Sequence, residues 1–199
     1  MKLYWAPHTR SMRALWMLEE TGCAYERVLV DITTGAQSHP DFLKINPMGK
    51  VPALVDGDVA VAESGAICAY LADRFPEAGL APPIGDPARG RYLQWLFFSA
   101  GCAEPAYTEK MNGWTTDSSA AAWGNFDRVI AVQEEALSAG PWILGERFSA
   151  ADVLLGIDLH YCMNVIKIIP EKPVLQAYAA RCFERPALQR AIAIDAAGV

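Results

Sequence analysis

Pro52-Ala53-Leu54-Val55-Asp56-Gly57-Asp58-Val59-Ala60-Val61-Ala62-Glu63-Ser64 is the stretch that decides the fold. Two short apolar runs flank Asp56-Gly57-Asp58, and Asp-Gly is the dipeptide that a tight hairpin turn with positive φ angles prefers. The spacing predicts an antiparallel hairpin. Proline can head the first run, because the first residue of a strand need not donate to the ladder. Beyond Glu63-Ser64, the segment Gly65-Ala66-Ile67-Cys68-Ala69-Tyr70-Leu71-Ala72-Asp73-Arg74 reads as a helix that Phe75-Pro76 ends.

Toward the N-terminus, Lys2-Leu3-Tyr4-Trp5 is a short apolar strand bounded by Ala6-Pro7. From about Ser11 the residues Met12, Leu15, Trp16 and Leu18 recur at helical spacing, and Gly22 supplies a C-terminal stop. Tyr25 to Val30 predicts a second strand and Asp31 to Asn46 an irregular stretch. The order over residues 1–76 is then β-α-β-(α)-β-β-α, an α/β domain. Pro76, Pro82, Pro83 and Pro87, with Gly79 and Gly85, mark residues 77–87 as a linker.

Residues 88–199 carry the helical period throughout. A helix is predicted from Ala88 to about Ala103, with Glu104-Pro105 kinking or ending it, and another from about Ser119 to Ala139. Phe148-Ser149-Ala150-Ala151-Asp152-Val153 has the spacing of a capping box, with Phe148 placed to staple onto Val153. Helices over Pro173 to Arg185 and Pro186 to Ala193 complete an all-helical second domain.

The chain has 199 residues, a formal charge of −6 and a pI near 5.1, with 52% hydrophobic and 20% charged residues. That balance fits a compact soluble protein and argues against nucleic acid or an anionic membrane as the main partner, since both need clustered Lys and Arg. The apolar helix around Ala151 to Ile169 is broken by Asp152, Asp158, His160 and Lys167, so no membrane span is expected. Without a secretory start, the expected setting is cytoplasmic. Cys23, Cys68, Cys102, Cys162 and Cys182 are dispersed and never at CxxC spacing, so no metal site is expected.

Asn46-Pro47-Met48-Gly49-Lys50-Val51-Pro52-Ala53-Leu54, followed at its spacing by Glu63-Ser64-Gly65-Ala66-Ile67, resembles the cytosolic glutathione transferase family, and the spacing of Thr9 and Ser11 to Arg13 and Trp16 resembles its bacterial members. The resemblance spans the whole chain. It implies a thioredoxin-like N-terminal domain, an all-helical C-terminal domain that contributes the electrophile site, a homodimer, and glutathione as co-substrate without a metal. In the family the matching Val-Pro bond is cis.

Each group of glutathione then has a candidate partner. Ser64, at a helix start with free N–H groups and a positive dipole end, suits the γ-glutamyl carboxylate, and Glu63 suits the adjacent ammonium. The competing reading makes Ser64 a plain helix cap. The backbone of Val51 would pair with the cysteinyl unit as a strand neighbour does. Lys50, and less directly Gln37, would meet the glycine carboxylate. The thiol needs a donor to become thiolate at neutral pH, and Thr9 and Ser11 both lie in the first loop, with Arg10 adding positive potential. Tyr4 is a rival donor. Family members that work through a covalent cysteine intermediate carry that cysteine in the first loop; there is none here before Cys23, so the resemblance implies no covalent enzyme intermediate. Tyr107, Met111 and Trp114 are candidates for an apolar electrophile wall. A non-catalytic scaffold, or a glutathione-dependent isomerase or dehalogenase, are the alternative functions.

Overall fold

The structure is a computed structural model that describes residues 1–198. Its contacts divide the chain into two compact units.

The first unit holds residues 1–78 and the segment from Arg185 onward. Strands β1 (Lys2–Trp5), β2 (Glu26–Leu29), β3 (Ala53–Asp56) and β4 (Val59–Ala62) form one mixed sheet in the order β2-β1-β3-β4. β1 and β2 run parallel, as a strand-helix-strand crossover requires. β3 and β4 form the expected hairpin, in a register that pairs Asp56 with Val59 and Ala53 with Ala62. Gly57 at its tip has φ +59°, the left-handed conformation that the Asp-Gly dipeptide anticipates. Helix α1 (Ser11–Thr21) fills the crossover, α2 (Pro40–Leu43) is a single turn, and α3 (Ser64–Arg74) follows the hairpin. Alternation along β1 buries Leu3 and Trp5 on one face and turns Tyr4 to the other. There Tyr4 packs with Val51 against Val30, Phe42 and Ala53.

Helix α9 (Pro186–Ala197) packs on α1. By its contacts it belongs to the first unit, not to the helical body in which the sequence expectation put it. Charge pairing fastens it. Arg185 grips Glu20 in a fork, with Nε–Oε1 at 2.6 Å and Nη2–Oε2 at 2.7 Å, while Arg190 Nε meets Glu19 at 2.7 Å. No local pattern in the sequence announces pairs separated by 165 and 171 positions.

The second unit, Gly79–Glu184, contains α4 (Ala88–Phe98), α5 (Glu104–Asn112), α6 (Phe126–Leu137), α7 (Ala150–His160) and α8 (Pro173–Phe183). Pro105 neither kinks nor ends the first of these by itself. A π-helical turn over Ser99–Ala103 changes the hydrogen-bonding step, so Pro105 falls at a fresh helix start where its missing N–H costs nothing. The helix expected from Ser119 begins only at Phe126. Gly124, at φ +69°, and the extended Asn125 interrupt it, and the Asn125 side chain caps the new helix by accepting from Arg128 N at 2.9 Å.

The capping box at α7 is formed, with Ser149 N donating to Asp152 at 2.8 Å. Asp152 is fully buried and also accepts from Ile143 N at 2.8 Å and Tyr178 OH at 2.9 Å. The carboxylate therefore joins three segments of this unit. Leu80 anchors the end of the linker here, its carbonyl accepting from Ala150 N at 2.8 Å.

Candidate functional site

The sheet register gathers three segments at one end. Tyr4 pairs with Ala53, and Ala53 with Ala62, so the loop after β1, the approach to β3 and the exit from β4 all leave the sheet side by side. Two helix N-termini, those of α1 and α3, start from this end and direct their positive dipole ends toward it. Such a place favours an anion.

Glu63 and Ser64 lie at the exit from β4. Glu63 occupies the N-cap position of α3 with φ +67° and makes no side-chain cap bond. A left-handed conformation is uncommon for a residue other than glycine, and such outliers concentrate at ligand sites. Ser64 is the first helical residue, not the cap. Its hydroxyl and the Glu63 carboxylate have no hydrogen-bond or ion-pair partner among the described residues, and the amides of Ser64, Gly65 and Ala66 lie in the turn that has no intrahelical acceptor. The plain-cap reading of Ser64 is therefore overturned by the backbone geometry.

On the approach to β3, the Val51-Pro52 bond is cis and Val51 is half-buried. Asn46 shapes this approach. Its Nδ2 donates to Lys50 O at 2.7 Å and its Oδ1 accepts from Met48 N at 3.1 Å, which holds residues 46–50 in a closed turn. The Asn46 side is buried, while Met48 and Lys50 are exposed, so the bonds are sheltered from one side. Gly49, at φ +62°, lets this turn approach Gln37, since a Cβ there would come within 3.1 Å of the Gln37 carbonyl oxygen. Gln37 keeps a buried side-chain oxygen with no partner, and Lys50 is exposed.

In the loop after β1 the two hydroxyls are joined. Thr9 Oγ1 lies 2.9 Å from Ser11 Oγ, donates to Ala6 O at 2.7 Å and accepts from Ser11 N at 3.1 Å. Ser11 Oγ accepts from Ala6 N at 3.2 Å and the residue has no exposed surface, whereas Thr9 is half-buried. Arg10 is exposed beside them at the start of α1. Tyr4, the rival donor, lies with its ring 6.0 Å from that of Phe42 in the apolar cluster on the sheet.

The second-unit candidates separate into two kinds. Tyr107 is only 5% exposed; its hydroxyl donates to Gln133 Oε1 at 2.9 Å and its ring meets Phe126 edge-on, so it is drawn into the helical core and not onto a wall. Met111 and Trp114, at and just past the end of α5, are exposed. None of the five cysteines is in a disulfide, and Cys23 is half-buried beyond the end of α1.

Asn46 and Asp195 brace two of these gathered segments, and neither is a candidate from the sequence. An Asn two residues before the amide it binds is a recognisable turn signal, so Asn46 was within reach. Asp195 binds the first loop from 187 positions away, and no local pattern reveals it.

A four-stranded mixed sheet with this helix order makes the first unit a thioredoxin-like domain, and an all-helical unit follows it. A family model for the glutathione S-transferase N-terminal domain matches residues 1–73. A solved glutathione transferase from Methylococcus capsulatus str. bath is 36% identical, with a TM-score of 0.82 and 98% of each chain covered. A sphingomonad glutathione S-transferase solved in complex with glutathione is 33% identical, with a TM-score of 0.81 over 98% of this chain and 99% of that one. Glutathione S-transferase Z2 of Arabidopsis thaliana is 31% identical over 184 residues, which cover 86% of this chain and 80% of the relative. The chain belongs to the glutathione transferase family.

Proposed function

We propose that this protein binds glutathione at the gathered end of its sheet and conjugates the thiolate to small electrophiles. The observation that carries the reading is the pair Glu63-Ser64. An unpaired carboxylate, an unpaired hydroxyl and the free amides of a helix start lie together, which suits the ammonium and carboxylate of one amino acid head. Val51 then offers backbone groups to the middle of the peptide, and Lys50 and Gln37 its far carboxylate. The glutathione bound in the sphingomonad relative supports the same ligand here.

Thr9 is assigned the contact with sulfur and Ser11 a supporting role. Ser11 is sealed from any ligand, but its hydroxyl is within reach of Thr9 Oγ1. When Thr9 turns its proton from Ala6 O to the sulfur, Ser11 can donate to Thr9 Oγ1, and a chain of two hydroxyls strengthens the donor. Arg10 adds positive potential from the α1 start. The thiol proton leaves to solvent; the sulfur bonds the electrophilic carbon as the bond to its leaving group breaks, and the leaving group departs with that electron pair. No enzyme cysteine enters.

Met111 and Trp114 are the apolar residues assigned to the electrophile. A homodimer and a cytoplasmic setting belong to the same reading. The test is retention on immobilised glutathione followed by conjugation of a generic aryl halide. Retention with turnover is the expected result. Absence of binding sinks the reading, and binding without turnover on a panel of electrophiles would favour the scaffold alternative.

A further inference from the structure

Asp195 lies in the last turn of α9, where the negative end of the helix dipole makes a carboxylate unfavourable for the helix itself. What it does is visible at its other end. Oδ1 and Oδ2 accept from His8 N at 3.0 and 3.2 Å, and Oδ2 lies 3.0 Å from His8 Nδ1. The carboxylate is buried, whereas the imidazole is mostly exposed. His8 adopts φ +57°, so the chain turns sharply immediately before Thr9. Both oxygens thus clamp the backbone at the one strained point of the loop that presents the thiol donor.

We propose that Asp195 is a positioning residue: it fixes the His8 turn so that the Thr9 hydroxyl is aimed at the ligand sulfur. The inference rests on the transferase reading of Thr9. Electrostatics alone would give the opposite effect, because a carboxylate near a thiolate raises the thiol pKa. Position and charge can therefore be separated. Asp195→Ala removes both, whereas Asp195→Asn removes the charge and leaves an amide oxygen to accept from His8 N.

The experiment titrates the ultraviolet thiolate absorbance of glutathione bound to the full-length protein. Asp195→Ala is expected to raise the titration midpoint by about one pH unit, a tenfold loss of thiolate at a given pH below it. Asp195→Asn should restore the wild-type midpoint or fall slightly below it. His8→Gly, which keeps the left-handed turn without the imidazole, should also titrate as wild type. Arg190→Ala, which cuts another tie of α9 to α1, is the control for general loosening and should leave the midpoint in place. An unmoved midpoint in Asp195→Ala, or an equal rise in Arg190→Ala, overturns the inference. If wild-type protein titrates like free glutathione, the transferase reading fails instead. Amide exchange then decides the clamp: faster exchange at His8 in Asp195→Ala and not in Arg190→Ala supports it, and unchanged exchange refutes it.

Discussion

Replacing Asp152 by alanine withdraws one buried carboxylate from three segments of the helical unit. Ile143 N–H, Ser149 N–H and Tyr178 O–H lose their acceptor together. Each orphaned buried donor costs about 1–3 kcal/mol. Against this stands a term that the substitution relieves. Burial pushes the Asp152 carboxyl up from 3.8 to about 6 despite its hydrogen bonds, so the ionised form gives up about 3 kcal/mol at neutral pH. The net loss near pH 7 is therefore about 3 kcal/mol, the middle of a range of about 0–6.

The sign of the pH dependence follows from the same shift. Because the folded pKa is raised, the folded state holds the proton more tightly than the unfolded chain. The extra stability is fully present below about 3.8 and is lost as pH rises through about 6. Urea unfolding of wild type and Asp152→Ala, followed by tryptophan fluorescence, should show a gap wider at about pH 4.5 than at about pH 7.5 by about 2 kcal/mol. Other carboxylates titrate in both proteins and cancel. A gap that widens with rising pH, or a variant within about 0.5 kcal/mol of wild type at about pH 4.5, refutes the reasoning.

Ser64→Ala should lower glutathione affinity about tenfold while changing unfolding free energy by less than about 0.5 kcal/mol, since Ser64 caps nothing; calorimetric binding and urea unfolding check both halves. A stability loss of about 1 kcal/mol with unchanged affinity would return Ser64 to the cap role. Asn46→Ala opens the turn before Val51 and should raise KM for glutathione several-fold with little change in KM for the electrophile, measured by initial rates. Trp114→Ala should do the reverse, and equal effects on both constants would remove Trp114 from the electrophile site.

Much of the first unit was legible because its signals are local. Asp56-Gly57 specifies its turn chemically, the Pro52 and Glu63-Ser64 boundaries punctuate the hairpin, and Ala6-Pro7 bounds the apolar run of β1. Ser149 and Asp152 gave the start of α7 for the same reason. The expectations fail where a cap inside an apolar run, or a packing partner far along the chain, decides. Apolar spacing from Ser119 mimicked a helix, yet Gly124 and Asn125 hand the start to Phe126. Tyr107 looked like pocket surface until Gln133 and Phe126 claimed it. For the site, Glu63 and Ser64 were readable as types, but not that Glu63 takes the left-handed cap position and leaves Ser64 unused by the helix. Thr9 and Ser11 are chemically alike in sequence, and only burial tells them apart. The assignment of α9 to the first unit rests on Arg185, Arg190 and Asp195, whose partners are far away along the chain.

The central claim is that a hydroxyl pair led by Thr9 stabilises glutathione as its thiolate. The most direct measurement is the thiolate titration of bound glutathione in wild type, Thr9→Ala and Ser11→Ala. A charge-assisted hydrogen bond is worth about 1.5–3 kcal/mol, or about one to two pH units. Wild type should titrate at least about one unit below the free thiol near 8.5, Thr9→Ala should recover most of that difference, and Ser11→Ala about a third of it. A midpoint in Thr9→Ala equal to wild type, with full retention of bound glutathione, would contradict the account.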